Sequence, residues 1–297
     1  MAEPKLNYVS CPDAGPGHRM AYWEWGDPLA SHVIVCVHGL SRQGRDFDVL
    51  AQALVARANG PLRVVCPDVV GRGQSDWLAD PQGYQLPQYA SDMLTLLAQL
   101  QPATLDWVGT SMGGLIGIGL CGQSAVPLPT TVRRLVLNDV GPQVQWEALV
   151  RIGSYLGRVV QFDSLQLAAD AMWLVSNSFG PHTPAQWLEL SRYMVKPSPD
   201  GQGVTLHYDP AIAVPFRAVT QESATQGEAL LWQLYDAITA QTLLLRGVDS
   251  DLLSRATAQA MVARGPHARL VEFAGVGHAP TFIAQDQIDA VASFLLG

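Results

Sequence analysis

Charge is scarce in this sequence, and lysine is nearly absent from it. Only 15% of the 297 residues are Asp, Glu, Lys or Arg, the formal net charge is −8, and lysine occurs at two positions. The arginines, which supply almost all of the positive charge, are scattered along the chain. Binding to a nucleic-acid backbone needs a basic patch. We therefore expect no nucleic-acid partner.

Long apolar runs are also absent. No stretch of the sequence approaches the roughly 18 apolar residues that a membrane-spanning helix needs. The first residues, MAEPKLNY, lack the basic start and the following apolar stretch of a secretory signal peptide. We therefore expect neither membrane insertion nor secretion, and we predict a cytoplasmic protein.

Cysteine is rare, and its spacing forms no metal or redox motif. The sequence has four cysteines, Cys11, Cys36, Cys66 and Cys121. No C-x-x-C pair occurs, and no histidine stands at a metal-ligand spacing from another His or from a Cys. We therefore predict reduced packing cysteines, no metal and no cofactor. The alternative is a thiol nucleophile at Cys121, which lies on a predicted helix with no His or acid beside it in the sequence.

Apolar residues, in contrast, make up 48% of the chain, which is enough for a large core. Short β-rich runs recur at intervals that leave room for a helix between them. This pattern is typical of a mostly parallel sheet covered by helices on both faces, and it predicts an α/β fold. The predicted strands are 32–37, 63–66, 105–108, 134–137, 242–245 and 268–273, with 20–25 expected to pair antiparallel at the sheet edge.

The regular recurrence of predicted strands stops after Pro142 and resumes near Ile238. The stretch between them has helical patterning and contains half of the tryptophans of the chain. Such an aromatic set is most often simple helix packing, but an insertion above the carboxyl ends of the strands would also line a ligand pocket. These tryptophans are Trp146, Trp173, Trp187 and Trp232.

The strongest local motif is G-x-S-x-G around Ser111. The apolar run LDWV leads directly into GTSMG, and a helix of small residues follows. This is the context of a nucleophile elbow, in which a strained turn exposes the serine hydroxyl at the amino end of a helix. The sequence therefore predicts Ser111 as a catalytic nucleophile.

A serine nucleophile needs an imidazole to take its proton and a carboxylate to orient that imidazole. His278 follows the last predicted strand in the small-residue loop FAGVGHAP, so we predict it as the base. Asp249 and Asp251 follow the strand at 242–245, and Asp139 follows the strand at 134–137. Asp249 and Asp251 are both placed to reach the imidazole. Asp139 is a third candidate because its loop is adjacent in such a sheet, and its alternative role is that of a capping or cap-hinge residue. These positions alone therefore leave the acid open.

A further loop follows the predicted strand at 32–37 and begins with His38-Gly39. The backbone N–H of Leu40, together with that of Met112 after the nucleophile, is predicted to form an oxyanion hole. We expect His38 to brace this loop by hydrogen bonding and not to transfer protons.

Taken together, these motifs resemble the α/β-hydrolase superfamily over essentially the full chain. The resemblance rests on the chain order Ser111, Asp251, His278, on the loop at 38–39, and on PDVVGRGQSD at 67–76, which is similar to the D-x-x-G-x-G-x-S segment of the family. In members of similar pattern the acid follows a G-x-x-(S)-D stretch after the seventh strand. The resemblance therefore implies Asp251 as the triad acid.

The same resemblance implies a fold and an organisation. We expect an α/β-hydrolase fold, with a mostly parallel eight-stranded sheet and a helical cap inserted after the sixth strand. The core would comprise residues 1–141 and 237–297, and the cap residues 142–236.

The implied reaction is acyl transfer from a small or medium carboxylic ester or lactone to Ser111 and then to water. The alternatives are a C–C bond hydrolase or lyase of the same fold and a non-catalytic member that binds a small ligand. For substrate binding we predict Arg42, whose guanidinium would hold a carboxylate, and the aromatic residues Trp173 and Trp187. The alternative role of Arg42 is structural, in an ion pair with a neighbouring aspartate.

Overall fold

A central sheet organises the computed structural model, which describes residues 3–123 and 128–297. In chain order the strands are β1 (Lys5–Cys11), β2 (His18–Gly26), β3 (His32–Val37), β4 (Arg63–Pro67), β5 (Thr104–Thr110), β6 (Val132–Asn138), β7 (Gln161–Phe162), β8 (Val195–Pro197), β9 (Val204–Leu206), β10 (Gln241–Gly247) and β11 (Arg269–Phe273). Eight of them pair in the order β1-β2-β4-β3-β5-β6-β10-β11, and β7, β9 and β8 form a separate small antiparallel sheet.

Six strands of the central sheet run parallel to one another, namely β4, β3, β5, β6, β10 and β11. Strand β2 is antiparallel both to β4 and to β1. The antiparallel pairing expected for residues 20–25 is present, but their strand, β2, is not at the edge. The edge position belongs to β1, which the sequence analysis missed. In β1 only Val9 and Cys11 are buried, so its apolar pattern is too sparse to predict a strand.

Helices cover both faces of the central sheet. Along β3, Val33 and Val35 pack on the face covered by the helices at 86–100 and 112–122, while Ile34 and Cys36 pack on the face covered by the helices at 48–57 and 285–296. This two-sided burial explains the nearly continuous apolar runs of the parallel strands. The helices are α1 (Asp48–Arg57), α2 (Leu86–Leu100), α3 (Met112–Gly122), α4 (Trp146–Tyr155), α5 (Leu165–Ser176), α6 (Pro184–Arg192), α7 (Ala213–Arg217), α8 (Gln221–Asp236), α9 (Arg255–Ala263) and α10 (Gln285–Leu296).

The predicted break in the strand rhythm corresponds to an inserted segment between β6 and β10, which carries α4 to α8. The small sheet of β7, β8 and β9 also lies there. Its strands are two or three residues long and half-buried or exposed, and are therefore too short to show an alternating pattern in the sequence. Within the described ranges, none of the helices has both the length and the apolar character needed to cross a bilayer.

Candidate active site

Ser111 lies in a sharp turn between β5 and α3. Its backbone adopts φ 52° and ψ −116°, a conformation that L-residues rarely take. The turn depends on its flanking glycines, because a Cβ atom on Gly109 would overlap the carbonyl of Gly113, and one on Gly113 would overlap the carbonyl of Val37. The backbone N–H of Ser111 donates to the carbonyl of Asn138 at 3.0 Å. The elbow is therefore tied to the neighbouring carboxyl end of β6.

His278 connects the serine to a carboxylate. Its Nε2 lies 3.0 Å from Ser111 Oγ, and its Nδ1 lies 2.7 Å from Asp139 Oδ2. A carboxylate only accepts hydrogen bonds, so this contact places the imidazole proton on Nδ1. Nε2 is then free to accept the proton of the serine hydroxyl.

Asp139 is held firmly in place by the end of β10. It follows β6 directly, with φ 54°, and is fully buried. Its Oδ1 accepts the backbone N–H of Gly247 at 2.9 Å, and its Oδ2 also accepts the hydroxyl of Ser250 at 2.5 Å. Both carboxylate oxygens therefore have partners, and the one facing His278 has little freedom to turn away.

The prediction that Asp251 occupies this position is wrong. Its side chain is 50% exposed and pairs with Arg151, at 2.7 Å between Arg151 Nη2 and Asp251 Oδ2. Asp249 is exposed as well. The loop after β10 directs both carboxylates outward and contributes instead the Gly247 N–H and the Ser250 hydroxyl that bind Asp139. Asp139 was among the open alternatives because β6 is a neighbouring strand.

The inserted segment contacts the loop that carries His278. The N–H of Gly277 donates to the carbonyl of Ser178, and His182 Nε2 lies 2.9 Å from Thr281 Oγ1. Thus the residues on both sides of His278 hydrogen-bond to the inserted segment.

Two backbone N–H groups next to the serine lack acceptors within the part of the chain that the structure describes. They belong to Leu40 and Met112, the two predicted oxyanion donors. The Leu40 loop approaches Ser111 closely at Gly39, because a Cβ atom on Gly39 would lie 3.7 Å from Ser111 Cβ. Met112 is the first residue of α3, where N–H groups point away from the helix without intrahelical partners.

Two buried side chains hold the Leu40 loop. His38 Nε2 accepts the N–H of Val69 at 2.9 Å, and its Nδ1 contacts the carbonyl of Gly39 at 2.7 Å. Burial lowers the pKa of His38 to about 3, so this imidazole is neutral and acts as a brace, as predicted. Arg72 Nε donates to the carbonyl of Leu40 at 2.8 Å. Sequence reasoning missed Arg72, although it lies in the segment at 67–76 that carried the resemblance.

Two cavities meet at Ser111. The first, of about 350 Å³, includes His278 and the loop after it in its wall, and the second, of about 680 Å³, lies toward Met112 and Val140. Leu40, Ser111 and Ile152 border both cavities. Volumes of this order suit small organic ligands. Ser111 therefore lies where two compartments meet.

The predicted substrate-binding residues occupy different surroundings. Arg42 borders the first cavity, but its guanidinium donates two hydrogen bonds of 2.7 Å to the carboxylate of Asp46. This is the ion pair with a neighbouring aspartate that was the alternative to substrate binding. Trp173 and Trp187 line neither cavity. Their rings pack together at 5.0 Å between centroids, and Trp187 Nε1 donates to the carbonyl of Ala169. For these tryptophans helix packing is the role the structure supports.

The thiols show no sign of activation. All four cysteines are free, and burial raises the pKa of Cys121 to about 12, which disfavours the reactive thiolate. Among the described residues, Cys11, His18 and Asp92 form a buried group of metal-ligand type. Its imidazole, however, is bound by carboxylates on both nitrogens, with His18 Nε2 at 2.9 Å from Asp92 Oδ2. A buried ion pair accounts for this group.

Comparison with known proteins identifies the family of this chain. The sequence profile described as the alpha/beta hydrolase family matches residues 34–294. The chain belongs to the alpha/beta hydrolase family. A 3-hydroxybutyrate-oligomer hydrolase of Cupriavidus necator is 51% identical over 298 residues, covering 100% of this chain and 99% of that protein. The predicted family and fold are confirmed, as is the prediction of a hydrolase that acts on ester bonds.

Solved structures with the same fold superpose over nearly the whole chain. An alpha/beta hydrolase from Novosphingobium aromaticivorans has a TM-score of 0.84 and 36% identity, with 99% of each chain covered. The thioesterase domain from the curacin biosynthetic pathway has a TM-score of 0.76 with all of both chains covered. At 21% identity this second likeness concerns the fold alone.

Proposed function

We propose that this chain is a serine esterase that hydrolyses short oligomers of 3-hydroxybutyrate through Ser111, His278 and Asp139. The observation that carries the proposal is the continuous hydrogen-bond chain from Asp139 through His278 to Ser111, located where two cavities meet. The 51% identity to an oligomer hydrolase supports the substrate class.

The first half of the reaction forms an acyl-enzyme. Ser111 Oγ attacks the ester carbonyl carbon while His278 Nε2 takes the hydroxyl proton. The tetrahedral intermediate then collapses, the bond between the carbonyl carbon and the alkoxy oxygen breaks, and His278 returns its proton to the leaving alcohol. Asp139 keeps the imidazole in the required tautomer and stabilises the imidazolium that forms.

The second half releases the acid. A water molecule attacks the acyl carbon, its proton passes to His278, and the bond to Ser111 Oγ breaks as His278 reprotonates the serine. In both halves the developing oxyanion accepts hydrogen bonds from the N–H groups of Leu40 and Met112. The loss of one such donor typically lowers kcat by about 10² to 10³.

The chemistry of the two cavities suits a short aliphatic polyester. Their walls are mainly apolar, with side chains such as Ile152, Val160, Leu149 and Leu231. Repeating units with a methyl branch and an ester carbonyl gain from such walls without needing many polar partners.

The proposal is tested by incubating the protein with the linear 3-hydroxybutyrate trimer and following monomer and dimer by chromatography. We expect turnover that the Ser111→Ala variant lacks, and labelling of Ser111 by a fluorophosphonate in mass spectrometry. Labelling at another Ser or at Cys121 would refute the mechanism. Hydrolysis of p-nitrophenyl butyrate without any hydrolysis of the trimer would refute the substrate class.

A further inference from the structure

The two cavities at Ser111 differ in charge. The first contains three arginines and one acid in its wall, namely Arg42, Arg151, Arg158 and Asp46. The second contains two acids, Glu147 and Glu228, and no lysine or arginine among its lining residues. A substrate with a charged end therefore has different electrostatic energies in the two orientations it can take across the serine.

Arg158 is the arginine of the first cavity that makes no ion pair with any acid in the described ranges. Arg42 pairs with Asp46 and Arg151 pairs with Asp251, so an aspartate already neutralises each of these two guanidinium groups. Arg158 retains its full set of charge-assisted donors for a carboxylate ligand.

The backbone that carries Arg158 is well defined. Gly157 has φ 75°, and a Cβ at that position would lie 2.5 Å from Ala213 Cβ, so no other residue fits there without displacement. Arg217 Nη2 donates to the carbonyl of Leu156 at 3.0 Å. These contacts fix the turn after α4 and with it the start of the Arg158 side chain at the cavity.

The position of His278 shows which side of the substrate meets Arg158. In ester cleavage the imidazole must protonate the leaving oxygen, so the leaving alcohol has to lie on the side of the base. His278 borders the first cavity and is not among the lining residues of the second. The leaving alcohol therefore occupies the first cavity, and the acyl group occupies the second.

We propose that Arg158 binds a carboxylate carried by the leaving alcohol of the substrate. The inference rests on the acyl-transfer reaction proposed above. In a linear 3-hydroxybutyrate oligomer, the alcohol released on cleavage of any ester bond is the fragment that ends in the free carboxylate. His278 and Arg158 both border the first cavity, so both favour the orientation that places the carboxylate-bearing alcohol there. The reverse orientation brings the carboxylate toward Glu147 and Glu228 in the second cavity.

The first experiment uses two pairs of simple esters and does not depend on oligomers. One pair places the charge on the alcohol: para-carboxyphenyl butyrate and its methyl ester. The other places it on the acyl group: monophenyl succinate and its methyl ester. We compare kcat/KM in the wild type, in Arg158→Gln and in Arg158→Glu. The control is Arg192→Gln, an exposed arginine of the inserted segment that pairs with Glu189 and lies outside both cavities.

For the first pair, Arg158→Gln is expected to lower the ratio of charged to neutral kcat/KM by about two- to fivefold, as for an ion pair of an exposed arginine, and Arg158→Glu by more. The ratio for the second pair is expected to stay the same, and Arg192→Gln is expected to change neither. An unchanged first ratio, or a response of the second ratio instead, overturns the inference.

The second experiment repeats the comparison with the 3-hydroxybutyrate trimer and its terminal methyl ester. We expect the wild type to prefer the free acid and Arg158→Gln to lose that preference. If the wild type cleaves neither trimer while the butyrate pair responds to Arg158, the substrate in the proposed function fails and the Arg158 site stands. Equal cleavage of both trimers by wild type and variant refutes the Arg158 site and leaves the proposed function intact.

Discussion

Replacement of Asp139 by Asn tests the catalytic geometry most directly. Both oxygens of Asp139 accept hydrogen bonds, Oδ1 from the Gly247 N–H and Oδ2 from His278 and Ser250. An asparagine amide must therefore turn its NH₂ toward one donor. Turning it toward Gly247 leaves a buried N–H without an acceptor, at about 1–3 kcal/mol. Turning it toward His278 only requires the imidazole to adopt its other tautomer and the Ser250 hydroxyl to rotate.

The second arrangement is therefore favoured, and it places the imidazole proton on Nε2, where it cannot accept the proton of Ser111. We expect Asp139→Asn to lower kcat by about 10⁴, which is about 5.4 kcal/mol of activation free energy. The assay is kcat for p-nitrophenyl butyrate, with denaturant unfolding to verify that the variant is folded. The controls Asp251→Asn and Asp249→Asn alter exposed carboxylates and should remain within about twofold of wild type. A loss below tenfold in Asp139→Asn, or a large loss in either control, would refute this reasoning.

Three further substitutions probe the elbow and the Leu40 loop. Gly113→Ala should lower the unfolding free energy by about 1–3 kcal/mol, because its Cβ would overlap the carbonyl of Val37; equal denaturation midpoints would argue against such close packing. Arg72→Met removes the donor to the Leu40 carbonyl and should lower kcat by about tenfold with a smaller change in KM; a change in KM alone would contradict a positioning role. Burial depresses the pKa of His38 from 6.5 to about 3, so its contribution to stability is complete above pH 6.5 and declines as the pH falls. The stability difference between wild type and His38→Gln should thus shrink by about 1.4 kcal/mol per pH unit between pH 6.5 and about 3, and a constant difference would show that His38 is not buried in its neutral form.

The fold could be predicted from the sequence because the two patterns that indicate it, the apolar strands and the G-x-S-x-G motif, each lie within a short stretch of the chain. A parallel strand buried on both faces must be continuously apolar, and the G-x-S-x-G elbow places glycines where any Cβ would overlap backbone. Ser111 and His278 could be singled out as candidates for the same reason, since each follows a recognisable strand within a small-residue loop. The edge strand β1 lacked such a pattern, as did the short strands of the inserted segment.

The carboxylate that contacts His278 could not be chosen from the sequence, because the choice depends on the direction of each loop. Asp251 and Asp139 both follow a strand, and only the path of each loop decides which carboxylate turns inward. The hydrogen bonds that hold Asp139 come from Gly247 and Ser250, more than a hundred positions away along the chain. Family order favoured Asp251, and its exposed pairing with Arg151 is visible only in three dimensions.

The contacts between the inserted segment and the His278 loop bear on how this enzyme can be redesigned. Exchange of such segments between relatives is an attractive route to new substrate preferences, because the sheet and its elbow would stay the same. Here the donor segment would also have to supply a carbonyl for the Gly277 N–H and a partner for the Thr281 hydroxyl, the roles of Ser178 and His182. A graft that matches the new ligand but omits these two contacts would leave the loop on both sides of His278 without its partners, so a change of ligand preference at this boundary also changes the support of His278.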